Sequence, residues 1–173
     1  EGMNMMGGLF PGSPLVNHGH NPELGWSFTS NSPDLVDIYE LEMNPENQNQ
    51  YMFDGKWLEL EMKEAKIKLK IWGPFKWTVK RKVYKSIHGP VLKQPHGTYA
   101  IRYSGIHEMR TIEQFYRMNK STNIKEFKSA MSMQALPMYN TGYADKEGNL
   151  FYVYNAMIPK RNEKYRFMLG HSF

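Results

Sequence analysis

In "LPMYNTGYADKEGNLFYVYNAMIPKR", residues 136–161, strand-forming residues surround a polar turn. Tyr143 and residues 151–154 favour extended backbone, while residues 145–149 (Asp-Lys-Glu-Gly-Asn) are typical of a turn. The pattern therefore predicts a hairpin of two antiparallel strands. Asn140 fits this pattern poorly, because asparagine is depleted in strands. Without other information, its amide is expected to satisfy buried backbone groups at the strand end.

The composition predicts a folded protein and excludes several kinds of site. The chain has 173 residues, of which 40% are hydrophobic and 14% aromatic, enough to build a core. It contains no cysteine, which excludes disulfides, thiolate nucleophiles and cysteine-based metal sites. The formal net charge of +5 is too mild to indicate nucleic-acid binding. No apolar run approaches the roughly 20 residues that a membrane span needs.

Residues 58–86 alternate between apolar and charged side chains. Ile67, Leu69 and Ile71 alternate with Lys66, Lys68 and Lys70. Period-two alternation predicts a strand with one buried and one solvated face. The sequence "GPF" breaks the run, and residues 76–86 return as a partner strand, so that residues 63–86 form a lysine-rich β-ribbon. A nucleic-acid groove would have aromatic residues on the same face as the lysines, whereas here most large side chains fall on the opposite face.

Two helices are predicted near residues 111–133. Thr111 with Gln114, and Asn123 with Glu126, have the spacing of a capping box, in which each end of the pair satisfies a free backbone N–H. Strands, then two helices, then a closing hairpin predict an α+β fold.

The residues alone reveal no catalytic centre. His18 and His20 lack an obvious third metal ligand, and His88 has no nucleophile at triad spacing. Asp34 and Asp37, with the carbonyl of Val36, offer oxygen atoms of the kind that calcium prefers, but two carboxylates are a weak signal.

Several segments, taken together and in order, resemble the penicillin amidase family of penicillin, cephalosporin and acyl-homoserine-lactone acylases. They are "GHN" with "GW" in residues 19–26, "NPENQNQYMFDGKW" (44–57), "HGPV" (88–91), and "YAD" with "GN" in residues 143–149. The resemblance extends over nearly the whole chain. It implies an N-terminal-nucleophile hydrolase, in which the first residue of a processed β-chain attacks an amide and its own α-amino group acts as the base. A catalytic histidine is then not required.

The resemblance also assigns roles to individual residues. Asn140 matches the asparagine of the family's oxyanion hole, which stabilises the charge that develops on the amide carbonyl oxygen. Ser30 matches the position whose backbone N–H is the second donor. Arg161 matches an arginine that orients the oxyanion asparagine. Asp34, Val36 and Asp37 match positions that bind a structural Ca²⁺ in some members, and no organic cofactor is implied.

The resemblance implies that residues 1–173 are a single fragment inside the β-chain catalytic domain, within an αββα sandwich. The nucleophile would precede Glu1, so this chain by itself is expected to be inactive. Its partners would be the α-chain and the remainder of the β-chain of its own precursor, and its substrate a small N-acyl compound. Family members are often secreted or periplasmic, but these residues do not decide the compartment.

The lysine-rich ribbon supports one alternative function. A diverged, non-catalytic binding module could keep this fold and use the ribbon to hold anionic ligands. The simpler interpretation is a solvated strand face whose lysines discourage edge-to-edge pairing.

Overall fold

The computed structural model describes residues 2–161, which divide into two compact units. The first unit contains the residues up to Leu35 and those from Ser104 onward, and the second contains Val36–Tyr103. Within residues 2–161, neither helix has the length and apolar composition needed to cross a membrane.

The first unit is a five-stranded sheet with two helices. Its strands are β1 (Met6–Gly8), β2 (His18–His20), β3 (Leu24–Thr29), β11 (Met138–Asp145) and β12 (Leu150–Ala156), which lie side by side in that order. Every neighbouring pair is antiparallel. The predicted hairpin is the β11–β12 pair. Its first strand is central, because β11 also pairs with β3, which is more than a hundred residues earlier in the chain.

One face of this sheet is covered by the helices α1 (Thr111–Lys120) and α2 (Ile124–Met131). Trp26 of β3 and Tyr143 of β11 pack in one buried cluster with Phe115 of α1 and Phe127 of α2. Residues on the opposite face of the sheet, such as Ser27 of β3 and Tyr152 of β12, are exposed. The apolar side chains therefore bury only the helix-covered face of the sheet, and the other face is open within this unit.

The helix caps follow the prediction at one helix only. The side chain of Asn123 accepts a hydrogen bond from the N–H of Glu126 at 3.0 Å, as predicted. The capping box at Thr111 is wrong, because α1 begins after Arg110 without a side-chain cap. The Thr111 hydroxyl instead donates to the carbonyl of Ala135, and the buried Gln114 accepts from the N–H of Ala135. Both polar side chains that were predicted to cap α1 therefore form hydrogen bonds with the backbone of Ala135 instead.

The second unit contains another antiparallel sheet and a small hairpin. The sheet has the order β4 (Val36–Glu40), β10 (Gly97–Tyr103), β9 (Pro90–Gln94), β8 (Phe75–Lys85) and β7 (Glu61–Trp72). The hairpin joins β5 (Gln50–Phe53) to β6 (Lys56–Glu59). Its turn residues Asp54 and Gly55 both have positive φ, the conformation that an Asp-Gly hairpin turn requires. Leu41, Tyr51, Leu60, Val91 and Ala100 form the core.

The predicted β-ribbon is the β7–β8 pair, but its apolar face is not buried within this unit. Ile67 and Leu69 are about half exposed, and Trp77 is 63% exposed. The expectation of a buried face is wrong here because β8 pairs with β9 only at Tyr84 and Lys85. Beyond those residues the ribbon extends from the sheet as two strands alone.

The predicted fold class is also wrong. Strands account for 48% of the structure and helices for only 11%. The two helices cover one face of one sheet, so the chain is mainly antiparallel β rather than a balanced α+β sandwich with helical layers on both sides. The sequence order of strands and helices indicated both element types, but it did not reveal how strongly the strands predominate.

Candidate functional site

The candidate site lies where β3 ends beside the beginning of β11. The strand register places Asn140 directly opposite Thr29 on one side and Tyr154 on the other. Asn140 is half-buried and belongs to the open face of the sheet. Its side-chain Nδ2 donates to the Thr29 hydroxyl at 3.1 Å and lies 3.5 Å from the carbonyl oxygen of Ser30. The structure therefore brings together Asn140 and Ser30, two of the predicted site residues, although 110 positions separate them in the sequence.

The two contacts of Nδ2 differ in strength. The bond to Thr29 has ordinary geometry, whereas 3.5 Å to the Ser30 carbonyl is at the limit of a hydrogen bond. An amide nitrogen carries two protons. One proton is therefore held firmly by Thr29, and the other is held weakly enough to be given to a better acceptor.

A buried asparagine network supports the backbone next to Asn140. The side chain of Asn31 accepts from the N–H of Tyr139 at 2.8 Å and donates to the carbonyl of Asn155 at 2.9 Å. Asn155 in turn donates to the carbonyl of Leu136 at 2.7 Å. Asn31 and Asn155 are both buried. These bonds tie the end of β3, the start of β11 and the end of β12 together directly beneath the candidate site.

Tyr139 has an unusual backbone conformation. Its φ is +113°, which residues with a side chain rarely adopt. The N–H bond to Asn31 and a stacked contact with the ring of Phe28, with centroids 5.5 Å apart, hold it there. Strain of this kind persists only where the surroundings impose it, and it is concentrated at functional sites. Its position immediately before Asn140 supports a special role for this segment.

Arg161 is placed against Asp34. Its Nη2 lies 3.0 Å from Asp34 Oδ2 and donates to the Asp34 carbonyl at 3.1 Å. The Arg161 side chain is largely buried, at 18% exposure, while that of Asp34 is half exposed. The contacts hold the segment that follows Ser30 against the segment that follows β12.

The predicted calcium ligands are divided between the two units, with Asp34 in the first and Val36 and Asp37 in the second. The carboxylate of Asp34 is paired with the Arg161 guanidinium, a cation where calcium would need a free anionic ligand. Val36 is exposed and Asp37 buried on β4, in the second unit. Across the described part of the chain, no group of three or more His, Asp or Glu side chains is arranged to hold a metal ion. Calcium binding by Asp34, Val36 and Asp37 stays a prediction, and the chemistry proposed for the chain does not depend on it.

Asp145 holds the turn between β11 and β12. Its Oδ1 accepts from the backbone N–H groups of Glu147 and Asn149, and its Oδ2 accepts from the Tyr143 hydroxyl. Desolvation raises the pKa of Asp145, but hydrogen bonds from the side chain and backbone of Asn149, and from Tyr143, outweigh it and lower the pKa overall. Desolvation and the bond to Asp145 raise the pKa of Tyr143.

His88 is half-buried and packs against two aromatic rings of the second unit. Its ring stacks on Tyr39 with centroids 4.3 Å apart and meets the edge of Phe53. Desolvation, together with the nearby charge of Arg102, lowers its pKa. These contacts are those of a packed aromatic ring and support the structural interpretation of this histidine.

Sequence reasoning missed the residues that hold the candidate site in place. Thr29, Asn31, Tyr152 and Asn155 each bond to Asn140 or to the network beside it. The Tyr152 hydroxyl donates to Asn140 Oδ1 at 2.9 Å. A hairpin register centred on residues 145–149 could have identified Tyr152, because it fixes which residues of the two strands share a face. Asn31 gives no such signal, since its partners come from distant strands.

Comparison with known proteins identifies the family of the chain. A sequence model of the penicillin amidase family matches residues 1–172. The chain belongs to this family. It is 28% identical over 165 residues to an acyl-homoserine lactone acylase PvdQ of Pseudomonas fluorescens (strain Pf0-1), a match that covers 91% of this chain and 21% of that protein. It is also 28% identical over 152 residues to penicillin G acylase of Escherichia coli, covering 86% of this chain and 17% of that protein.

A solved structure shares the fold. The thermostable penicillin G acylase from Alcaligenes faecalis superposes with a TM-score of 0.82 at 26% sequence identity, over 95% of this chain and 30% of that chain. The chain spans about a fifth of the length of the PvdQ relative.

Proposed function

We propose that this chain is a segment of an N-terminal-nucleophile amidohydrolase that cleaves the amide bond of N-acyl compounds, and that it supplies the oxyanion hole. Two kinds of evidence support the proposal. The similar proteins are named as acyl-homoserine lactone and penicillin G acylases. The strongest observation in favour of the proposal is that the Asn140 amide lies beside Ser30, where two strands distant in sequence meet.

The proposed chemistry follows from the charge that develops during amide cleavage. A nucleophile in another segment of the longer polypeptide adds to the acyl carbon, and the carbonyl oxygen becomes an oxyanion. The weakly held Nδ2 proton of Asn140 and the backbone N–H of Ser30 donate to that oxygen. The α-amino group of the nucleophilic residue takes the nucleophile's proton and gives it to the amine, which leaves as the carbonyl re-forms. Water then adds to the acyl carbon and releases the acyl group as a carboxylic acid, which restores the nucleophile. Donors positioned in advance stabilise the charge without reorganisation.

The two parts of this proposal call for different experiments. The sequence of the complete polypeptide should contain a Ser, Thr or Cys that processing exposes at the start of a β-chain. A complete polypeptide without one would overturn the enzymatic proposal. The role of Asn140 is tested by substitution in the processed, full-length protein with an N-acyl substrate.

In that protein, Asn140→Ala should lower kcat by about 10²- to 10³-fold, the usual loss for one oxyanion donor, with little change in KM. Asn123→Ala is a matched control, because it removes an asparagine whose amide caps α2 and contacts the neighbouring Thr122. The control should cost about 1 kcal/mol of stability and leave kcat unchanged. Unchanged turnover in Asn140→Ala would remove this residue from the mechanism.

The ribbon supports a second candidate function, the binding of anionic ligands. The register of β7 and β8 puts lysines of both strands on one face, among them the directly opposed pairs Lys66 with Lys80 and Lys70 with Lys76. Such a face predicts affinity for a polyanion such as heparin that falls steeply with salt. Replacing Lys66, Lys68 and Lys70 by glutamine should abolish that affinity, and absence of binding at low salt would exclude this function.

A further inference from the structure

The amide of Asn140 is held from its oxygen side as well as from its nitrogen side. The hydroxyl of Tyr152, on β12, donates to Asn140 Oδ1 at 2.9 Å. Tyr154 is directly opposite Asn140 in the strand register, and Tyr152 lies two residues further along the same face of β12. The bond therefore runs diagonally across the open face of the sheet.

This bond fixes the position of the amide, while the Ser30 carbonyl decides which end of it faces the candidate site. The Ser30 carbonyl can only accept a hydrogen bond, so the amide nitrogen, rather than the oxygen, must face it. The Thr29 hydroxyl, in contrast, can donate or accept, and it would tolerate either orientation. The Tyr152 hydroxyl can likewise donate or accept, so its bond to Oδ1 holds the amide in place from the far end rather than selecting its orientation. If the amide rotated by half a turn, it would present an oxygen lone pair to the developing oxyanion and would repel it.

We propose that Tyr152 is a positioning residue that holds the Asn140 amide with its N–H groups toward the reacting carbonyl. This inference rests on the proposed function, because it assigns Tyr152 a role in the same oxyanion hole. Tyr152 acts through Asn140 and does not touch the reacting atoms.

A purely structural role for Tyr152 makes a different prediction. The side chain is 66% exposed and lies outside the buried cluster of the first unit. Removing its hydroxyl leaves the core unchanged and should have little effect on stability. The loss should appear in turnover, because a misplacement of about 1 Å at a reacting group can cost about 100-fold in rate.

The experiment compares two matched variants of the processed, full-length protein. Tyr152→Phe removes the hydroxyl that holds Asn140. Tyr154→Phe removes a hydroxyl from the same strand and the same face, but within residues 2–161 that hydroxyl makes no hydrogen bond. For each variant, kcat and KM are measured with an N-acyl substrate, and the melting temperature is recorded.

We expect Tyr152→Phe to lower kcat by about 10- to 100-fold with KM and melting temperature nearly unchanged. Tyr154→Phe should match the parent. In the Asn140→Ala background, Tyr152→Phe should cause no further loss, since the group that it positions is already absent. A crystal structure of Tyr152→Phe should show the Asn140 side chain displaced or in more than one conformation.

The other possible results contradict either the positioning role of Tyr152 or the proposed function. If the parent protein hydrolyses the substrate but Tyr152→Phe matches Tyr154→Phe, the positioning role is wrong and the proposed function stands. If Tyr152→Phe lowers kcat equally in the parent and Asn140→Ala backgrounds, Tyr152 does not act through Asn140. If the full-length parent hydrolyses no N-acyl amide, the proposed function is wrong, and the inference is wrong with it.

Discussion

The guanidinium of Arg161 bonds to both the carboxylate and the backbone carbonyl of Asp34, at 3.0 and 3.1 Å. The two residues are 127 positions apart in sequence. Since Asp34 follows Ser30 by four residues and Arg161 follows β12, the contact joins the segments beyond β3 and β12. It is a tether for the backbone that carries one of the two proposed oxyanion donors.

Loss of this tether should cost more than loss of an ordinary surface ion pair. Arg161→Ala should destabilise the protein by about 1–2 kcal/mol, because the guanidinium is mostly buried and its bonds involve charged groups. Arg117→Ala, which breaks the exposed Arg117–Glu113 pair on α1, is the control and should cost less than about 0.5 kcal/mol. Chemical denaturation of both variants measures the difference. Equal losses would show that the Arg161 contact is only a surface pair.

Asn31 should be more sensitive to substitution than its position at a strand end suggests. Asn31→Leu would leave the N–H of Tyr139 and the carbonyl of Asn155 without their present partner. An unsatisfied buried polar group costs about 1–3 kcal/mol, so the variant should lose several kcal/mol of stability. The control variant Asn47→Leu makes the same substitution in an exposed turn between β4 and β5. It should cost much less stability. Thermal unfolding distinguishes the two, and a loss in Asn31→Leu no larger than in the control would contradict the network's importance.

The candidate site was only partly predictable from sequence, for a physical reason. Local pattern located the β11–β12 hairpin, because turn chemistry and strand propensity act over a few residues. Resemblance to the family singled out Asn140 and Ser30. The partners that fix the Asn140 amide are Thr29 and Tyr152, and they follow from strand register, which a single sequence determines only weakly.

The prediction of the fold class was wrong for a related reason. Alternation in β7 correctly indicated a strand, but it could not show that the apolar face of the ribbon lacks a covering layer within its own unit. The order of strands and helices likewise did not indicate what fraction of the residues each would contain.

Two glycines of the first unit should respond in opposite ways to a methyl group. A Cβ added to Gly19 would collide with the carbonyl oxygen of Met6 and lie 2.7 Å from the Cα of Gly7. At Gly142, a Cβ would meet no atom within 4 Å. Gly19→Ala should therefore destabilise the protein by about 1–3 kcal/mol through overpacking.

Gly142→Ala should stabilise the protein by about 0.4–1 kcal/mol, since it lowers the entropy of the unfolded chain without strain in the native state. The melting temperatures of the two variants check both signs. A stable Gly19→Ala variant would show that β1 and β2 do not approach as closely as the structure places them.

The turn carboxylate of Asp145 should make the folding stability depend on pH. Hydrogen bonds from Asn149 and Tyr143 overcome the opposing effect of desolvation and lower its folded-state pKa below the ordinary value of 3.8. A lowered carboxyl pKa means that the ionised form is stabilised by folding. That contribution is complete above pH 3.8 and is lost as the pH falls through the lower, folded-state pKa.

Asp145→Asn should therefore lower the melting temperature at neutral pH and flatten its fall in acid. The measurement is a series of thermal unfolding curves from about pH 7 down to about pH 2, which spans the titration of carboxylates. Asp54→Asn, in the β5–β6 turn, controls for the loss of a turn carboxylate that makes no side-chain hydrogen bond within residues 2–161. If Asp145→Asn and the parent lose stability in parallel across the acid range, the turn bonds of Asp145 are not the source of the dependence.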